Sequence, residues 1–172
     1  MLPRLSIGIA FAFVCCGQIL GCLAFASRAD VIRILRDQGF QIVRQVDKLP
    51  YRELIAANVI KRKQPLSSFL ANPGEHYQTF DGWIDENKPY RQLIIAATSS
   101  DYAIICFFET TEGGPSRKII VIRRGGKEPR VVFYALLNEE VRSWSDLKRV
   151  VGDNQIEEMI SASHPYPYAS SK

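Results

Sequence analysis

A chain of 172 residues with four cysteines could be stapled by disulfides, but three of them, Cys15, Cys16 and Cys22, crowd into one apolar N-terminal stretch. Cys106 is left alone in the remainder, whereas a disulfide framework needs an even set at spaced positions. The fold must therefore stand on its hydrophobic core. Histidine is scarcer still, with only His76 and His164. His-x-x-x-His and Cys-x-x-Cys spacings are both missing, so no metal site is expected. There is no Gly-x-Ser-x-Gly and no Ser-x-x-Lys with its supporting elements. The double glycines of "EGGPS" and "RRGGKE" read as hairpin turns with no helix behind them, which excludes a phosphate-cradling loop. No cofactor is expected. No Asn-x-Ser/Thr sequon occurs, and no internal repeat is visible.

Charge of one sign is not in great excess either. The 22 Lys+Arg exceed the 18 Asp+Glu to give +4, and loss of residues 1–26 would remove only Arg4. That balance favours solubility and argues against a nucleic-acid partner. What the N-terminus does have is the layout of an export signal. Arg4 is the positive end, Leu5 to about Leu23 the apolar run, and Ala24-Phe25-Ala26 a small-x-small cleavage site before Ser27. Two other readings stay open. "ILGC" resembles the lipobox of bacterial lipoproteins, which makes Cys22 a lipidation candidate, although Leu20 stands where a small residue is preferred. Residues 5–26 are also long and apolar enough to be an uncleaved anchor across a bilayer of ~30 Å. Each reading makes the protein exported, periplasmic or secreted, with membrane attachment under the last two.

The remainder reads as one globular α+β domain over residues 27–162, followed by a disordered Pro/Tyr/Ser tail at 163–172. "ADVIRILRDQG" spaces Val31, Ile34 and Leu35 as a helix stripe, with Asp30 as its cap and Gly39 as its end. A strand follows over 40–46, with Phe40, Ile42 and Val46 on one face. "PYRELIAANVIKRK" reads as a helix entered through Pro50, with Tyr51, Leu54, Ile55 and Val59 along one side. A short hairpin is expected around Asp81-Gly82. Four β-branched and aromatic runs then fill residues 91–137, separated by turns too short for anything but antiparallel neighbours. Two C-terminal helices are expected, one starting at Ser143-x-x-Asp146. The other starts at Asn154 and buries Ile156, Met159 and Ile160. The predicted architecture is a four- or five-stranded antiparallel meander, about residues 40–46 and 91–137, packed by N-terminal and C-terminal helices.

The strands of the meander are apolar on both faces. Leu93/Ile95 oppose Ile94/Ala96, Ile119/Val121 oppose Ile120/Ile122, and Val131/Phe133 oppose Val132/Tyr134. Leaving either face in water would be costly. Either the chain's own helices cover both, or a protein partner or a second copy covers part of one. Turn geometry brings "TSSD" at 98–101 beside the basic hairpin tip of Arg123, Arg124, Lys127 and Arg130, a candidate for binding an acidic partner or headgroups. Lys61-Arg62-Lys63 is a second basic run. The one acid/base candidate is His76, with Asp81 and Asp85 near in sequence. Cys106, mid-strand in "IICFF", reads as an inert core thiol. The expectation from sequence is a non-enzymatic exported protein of the cell envelope or periplasm that binds a protein partner, inhibitor-like or accessory. The alternatives are a small hydrolase using His76 and a membrane-attached structural component.

Overall fold

The computed structural model describes residues 25–37, 39–79, 88–111, 114–126 and 128–158. Residues 1–24 of the expected leader or anchor, the expected Asp81-Gly82 hairpin, Met159, Ile160 and the expected tail lie outside the described residues. The centre of the molecule is a six-stranded antiparallel sheet whose strands follow chain order. They are β1 (Gln41–Val43), β2 (Arg91–Thr98), β3 (Tyr102–Thr111), β4 (Gly114–Arg123), β5 (Arg130–Leu137) and β6 (Ile156–Glu158). Among the described residues four α-helices accompany them: α1 (Arg28–Arg36), α2 (Tyr51–Ala56), α3 (Leu66–Phe69) and α4 (Trp144–Gly152). The four runs of residues 91–137 are β2 to β5, so the mixed α+β class and the meander are both present.

Six strands replace the expected four or five because the last helix is a strand. Asn154 was expected to start a helix; instead, at φ 64, it is the left-handed residue that closes α4. The Gln155 N–H reaches back to the Val150 carbonyl at 3.0 Å, and the chain leaves the helix to pair Ile156 with Leu137. The strand over 40–46 shrinks to three residues, and its predicted face dissolves. Phe40 packs on one side of the sheet, Val46 enters a 3-10 turn on the other, and Ile42 is 43% exposed. At α1, Ser27 takes the cap, while Asp30 sits three residues in and completes a reciprocal capping box.

Two buried clusters lie on opposite faces of the sheet. One joins Ile104, Cys106, Ile119 and Val121 with Val31, Ile34 and Leu35 of α1 and Leu147, Val150 and Val151 of α4. The other joins Ala103, Ile105, Phe107, Ile120 and Tyr134 with Leu54 of α2, Phe69 of α3 and Val59, Ile60 and Leu70. Leu93 and Ile95, expected to share a face, fall in different clusters. A register shift between them adds one residue to β2, and alternation starts again in the opposite phase. A second shift separates Val131, which packs against the second cluster, from Phe133 in the first. The edges of the sheet are partly dressed as well. Ala71 bridges to Gln92 alongside β2, and the Ala26 N–H donates to the Val132 carbonyl of β5 at 2.8 Å.

Candidate functional site

The loop after α2 is shaped by an asparagine. Asn58, at φ 56, donates its N–H to the Ile55 carbonyl at 3.0 Å, and Val59 donates to the Leu54 carbonyl at 2.8 Å. This is a Schellman-type close with asparagine in the left-handed position, and Leu54 and Val59 meet in the core as that motif requires. The helix expected to run on through Lys63 therefore stops at Ala56. Val59 and Ile60 drop into the second cluster, and the chain turns at Lys61–Gln64. The Gln64 N–H donates to the Lys61 carbonyl at 3.0 Å, and the Tyr51 hydroxyl donates to the Gln64 carbonyl at 2.9 Å. The third residue of that turn, Lys63, has φ 73, where glycine or asparagine is the ordinary occupant. Three consecutive cations are thus held out on a tethered turn.

Lys61, Arg62 and Lys63 line a cavity of about 820 Å³ together with Asn58, Gln64, Phe69 and Arg91. Among the described residues, no carboxylate lines it. Many of the protein's other cations are occupied. Arg33 pairs with Asp30, Arg142 with Glu140 and Arg149 with Glu139, whereas Lys61, Arg62 and Lys63 make no ion pair among the described residues. Arg91 is different in kind. Its side chain is 9% exposed, it pairs with Glu109 across β2 and β3, and its guanidinium lies 4.9 Å from the centre of the Phe69 ring. Glu109 is shared with Lys118 of β4, which also hydrogen-bonds Tyr134. Burial pulls the Lys118 ammonium down, but its hydrogen bonds to Glu109 and Tyr134 outweigh that and leave it raised. Burial raises the Tyr134 phenol, with Lys118 pulling the other way.

The predicted basic tip is only partly available. Arg124 is bound into the fold: its guanidinium donates to Glu53 of α2 at 2.7 and 3.0 Å and to the Ser99 carbonyl at 2.6 Å. Its N–H also bonds the Asp101 carbonyl at 2.7 Å, so "TSSD" and the hairpin tip are neighbours. Arg123 and Arg130 sit directly opposite each other on β4 and β5. They line a second cavity of about 740 Å³ with Asn58, Gly125, Gly126 and Glu128. Lys127 lies outside the described residues, as do Cys22, Asp81 and Asp85. His76 is exposed on the margin of a third cavity of about 560 Å³ that also includes Glu75 and Lys88. The Glu75 carboxylate there accepts from the Asn72 backbone and side chain at 2.9 and 3.0 Å, and those bonds hold it below the usual carboxylate range. It is a turn-former rather than a base poised for proton transfer.

Cys106 is fully buried, and burial pushes its thiol far up. Among the described residues, no group of three or more His, Cys, Asp or Glu side chains could hold a metal ion. None of their helices is long and apolar enough to cross a membrane. Arg91, Glu109 and Lys118 were not read as site residues from sequence, because each looks like an ordinary polar strand end. Their signal is phase: Arg91, Glu109 and Lys118 each stand two residues from an inward-facing Leu93, Phe107 or Ile120. Comparison with protein-family models, with curated proteins and with solved structures finds no match to this chain.

Proposed function

We propose that this is a non-enzymatic exported protein of the cell envelope or periplasm that binds an acidic segment of a protein partner, in an inhibitor-like or accessory role. The reading is carried by one observation, the cavity lined by Lys61, Arg62 and Lys63 with no carboxylate lining it among the described residues. Three consecutive cations that make no ion pair among the described residues, set on a concave surface, raise the local potential and draw an anionic partner to it. The apolar leader of residues 5–26 supports export. In this reading the N-terminal and C-terminal helices serve to pack the sheet, and the loop end beside α2 does the binding. Both faces of the central strands are buried within the single chain, which supports a reading with the partner at the cleft rather than on the sheet.

The test is a fluorescence-anisotropy titration with a labelled glutamate-rich peptide, run on the wild type and on the Lys61→Ala/Arg62→Ala/Lys63→Ala variant. The expected result is saturable binding that weakens roughly tenfold in the variant and falls again as salt rises above 0.15 M, where the Debye length is ~8 Å. Equal affinity of the two proteins would remove the cleft from the reading.

A further inference from the structure

The two basic cavities share a wall. Asn58 lines both, so the cleft beside Lys61–Gln64 and the cleft under the β4–β5 tip adjoin across the C-terminal end of α2, as the two halves of a groove would. That helix end does not repel an anion with naked carbonyls: those of Glu53, Leu54 and Ile55 accept from Ala57, Val59 and Asn58. At the far end, Arg123 and Arg130 are cross-strand partners. Like charges directly opposite on a sheet are unfavourable, so the pair is held against its own repulsion. No ion pair involves either arginine among the described residues, unlike Arg124 beside them. Glu128 is in the same cavity and offsets one charge there, whereas the Lys61–Lys63 end has no carboxylate among the described residues.

We infer that the groove takes an extended acidic peptide gripped at two points, with several carboxylates against Lys61, Arg62 and Lys63 and one between Arg123 and Arg130. This rests on the binding reading above and adds the form of the ligand. A peptide suits the site better than a membrane does, because both cavities are concave and a bilayer presents a broad surface to convex projections. An extended chain lies along a groove and reaches both ends at ~3.3 Å per residue.

The experiment uses two fluorescein-labelled peptides, one with glutamates at both ends of a Gly-Ser centre and one with glutamates at a single end. They are titrated into the wild type, Lys61→Ala/Arg62→Ala/Lys63→Ala, Arg123→Ala/Arg130→Ala and Glu128→Gln. Each exposed cation is expected to contribute about two- to fivefold in affinity. The two-ended peptide then loses roughly tenfold on Arg123→Ala/Arg130→Ala and gains on Glu128→Gln, while the single-ended peptide responds to neither. Arg123→Ala/Arg130→Ala melts no lower than the wild type, because a repulsion has been removed. If the two-ended peptide ignores Arg123→Ala/Arg130→Ala but responds to the Lys61–Lys63 variant, the two-point grip is overturned and the cleft stands. Indifference of both peptides to the Lys61–Lys63 variant overturns the cleft as well. Cosedimentation with phosphatidylserine vesicles that neither peptide competes away would overturn the peptide as occupant.

Discussion

A lysine at φ 73 has its Cβ against the following carbonyl, a cost of roughly 1–2 kcal/mol that glycine does not bear. Lys63 stays there because the turn is tethered by Gln64 and Tyr51, and the strain keeps three cations facing the cleft. Lys63→Gly is therefore expected to raise stability by roughly 0.5–1 kcal/mol after glycine's own entropy is allowed for, read as a higher urea midpoint. The same substitution should weaken the glutamate-rich peptide. A fall in both quantities would mean that the turn stores no strain. Cys106 makes the opposite point, since everything about it is packing. With no surface exposed and a raised thiol, it should react with a disulfide reagent only when the whole sheet opens, so its labelling rate in urea should track global unfolding. The Cys106 environment was legible in "IICFF", because a mid-strand thiol among aromatics has nowhere to go but the core. Arg91 was not, because its burial depends on Glu109, eighteen residues along the chain, being folded opposite to it.

Helix ends decide more of this architecture than helix interiors do. Both Asn58 and Asn154 adopt the left-handed conformation one residue past a cap, and both turn the chain away from an apolar pattern that would otherwise prolong the helix. The pattern alone could not show this, since Val59 and Ile60 after α2 continue a plausible helical stripe. Asparagine is the second choice after glycine for that position, which makes the signal easy to miss. The strands were far more legible, because β-branched runs and double-glycine turns leave little freedom. Their faces were not, since one extra residue in β2 reverses every side chain beyond it. At the other end of α4, Ser143 accepts from the Asp146 N–H, as its spacing predicts. The C-terminal end is closed by a residue far away in sequence. Arg28 of α1 donates to the Val151 carbonyl at 3.0 Å and the Gly152 carbonyl at 2.5 Å, joining the first helix to the last. Arg28→Ala should cost about 1–2 kcal/mol in a urea titration, and Arg28→Lys should recover part of that by keeping the charge at the helix end. If Arg28→Ala is neutral, the two helices are held by Leu35, Val150 and their neighbours alone.

For the whole molecule, three buried groups act on stability in the same direction at high pH. Cys106 has an ordinary value of 9.0, Tyr134 of 10.0 and Lys118 of 10.5, and in the fold each lies higher. Burial is the cause for the thiol and the phenol, while for Lys118 its bonds to Glu109 and Tyr134 overcome burial. A raised value means that the folded chain keeps a proton which the unfolded chain has already lost. Stability from each group is therefore complete below its unfolded value and declines as pH rises from there toward its folded value. The urea midpoint should be flat from about pH 7 to 8.5 and begin to fall near pH 9, led by Cys106 at up to ~1.4 kcal/mol per pH unit. Cys106→Ala should move the onset to about pH 10, where the Tyr134–Lys118 pair takes over. Adding Tyr134→Phe should then flatten part of what remains, because the phenol no longer titrates and Lys118 loses one of the two hydrogen bonds that raise it. A fall that still begins near pH 9 in Cys106→Ala would mean the thiol can ionise inside the fold. The first buried cluster, which holds Cys106 against α1 and α4, would then be open to water at a point where the structure leaves no room for it.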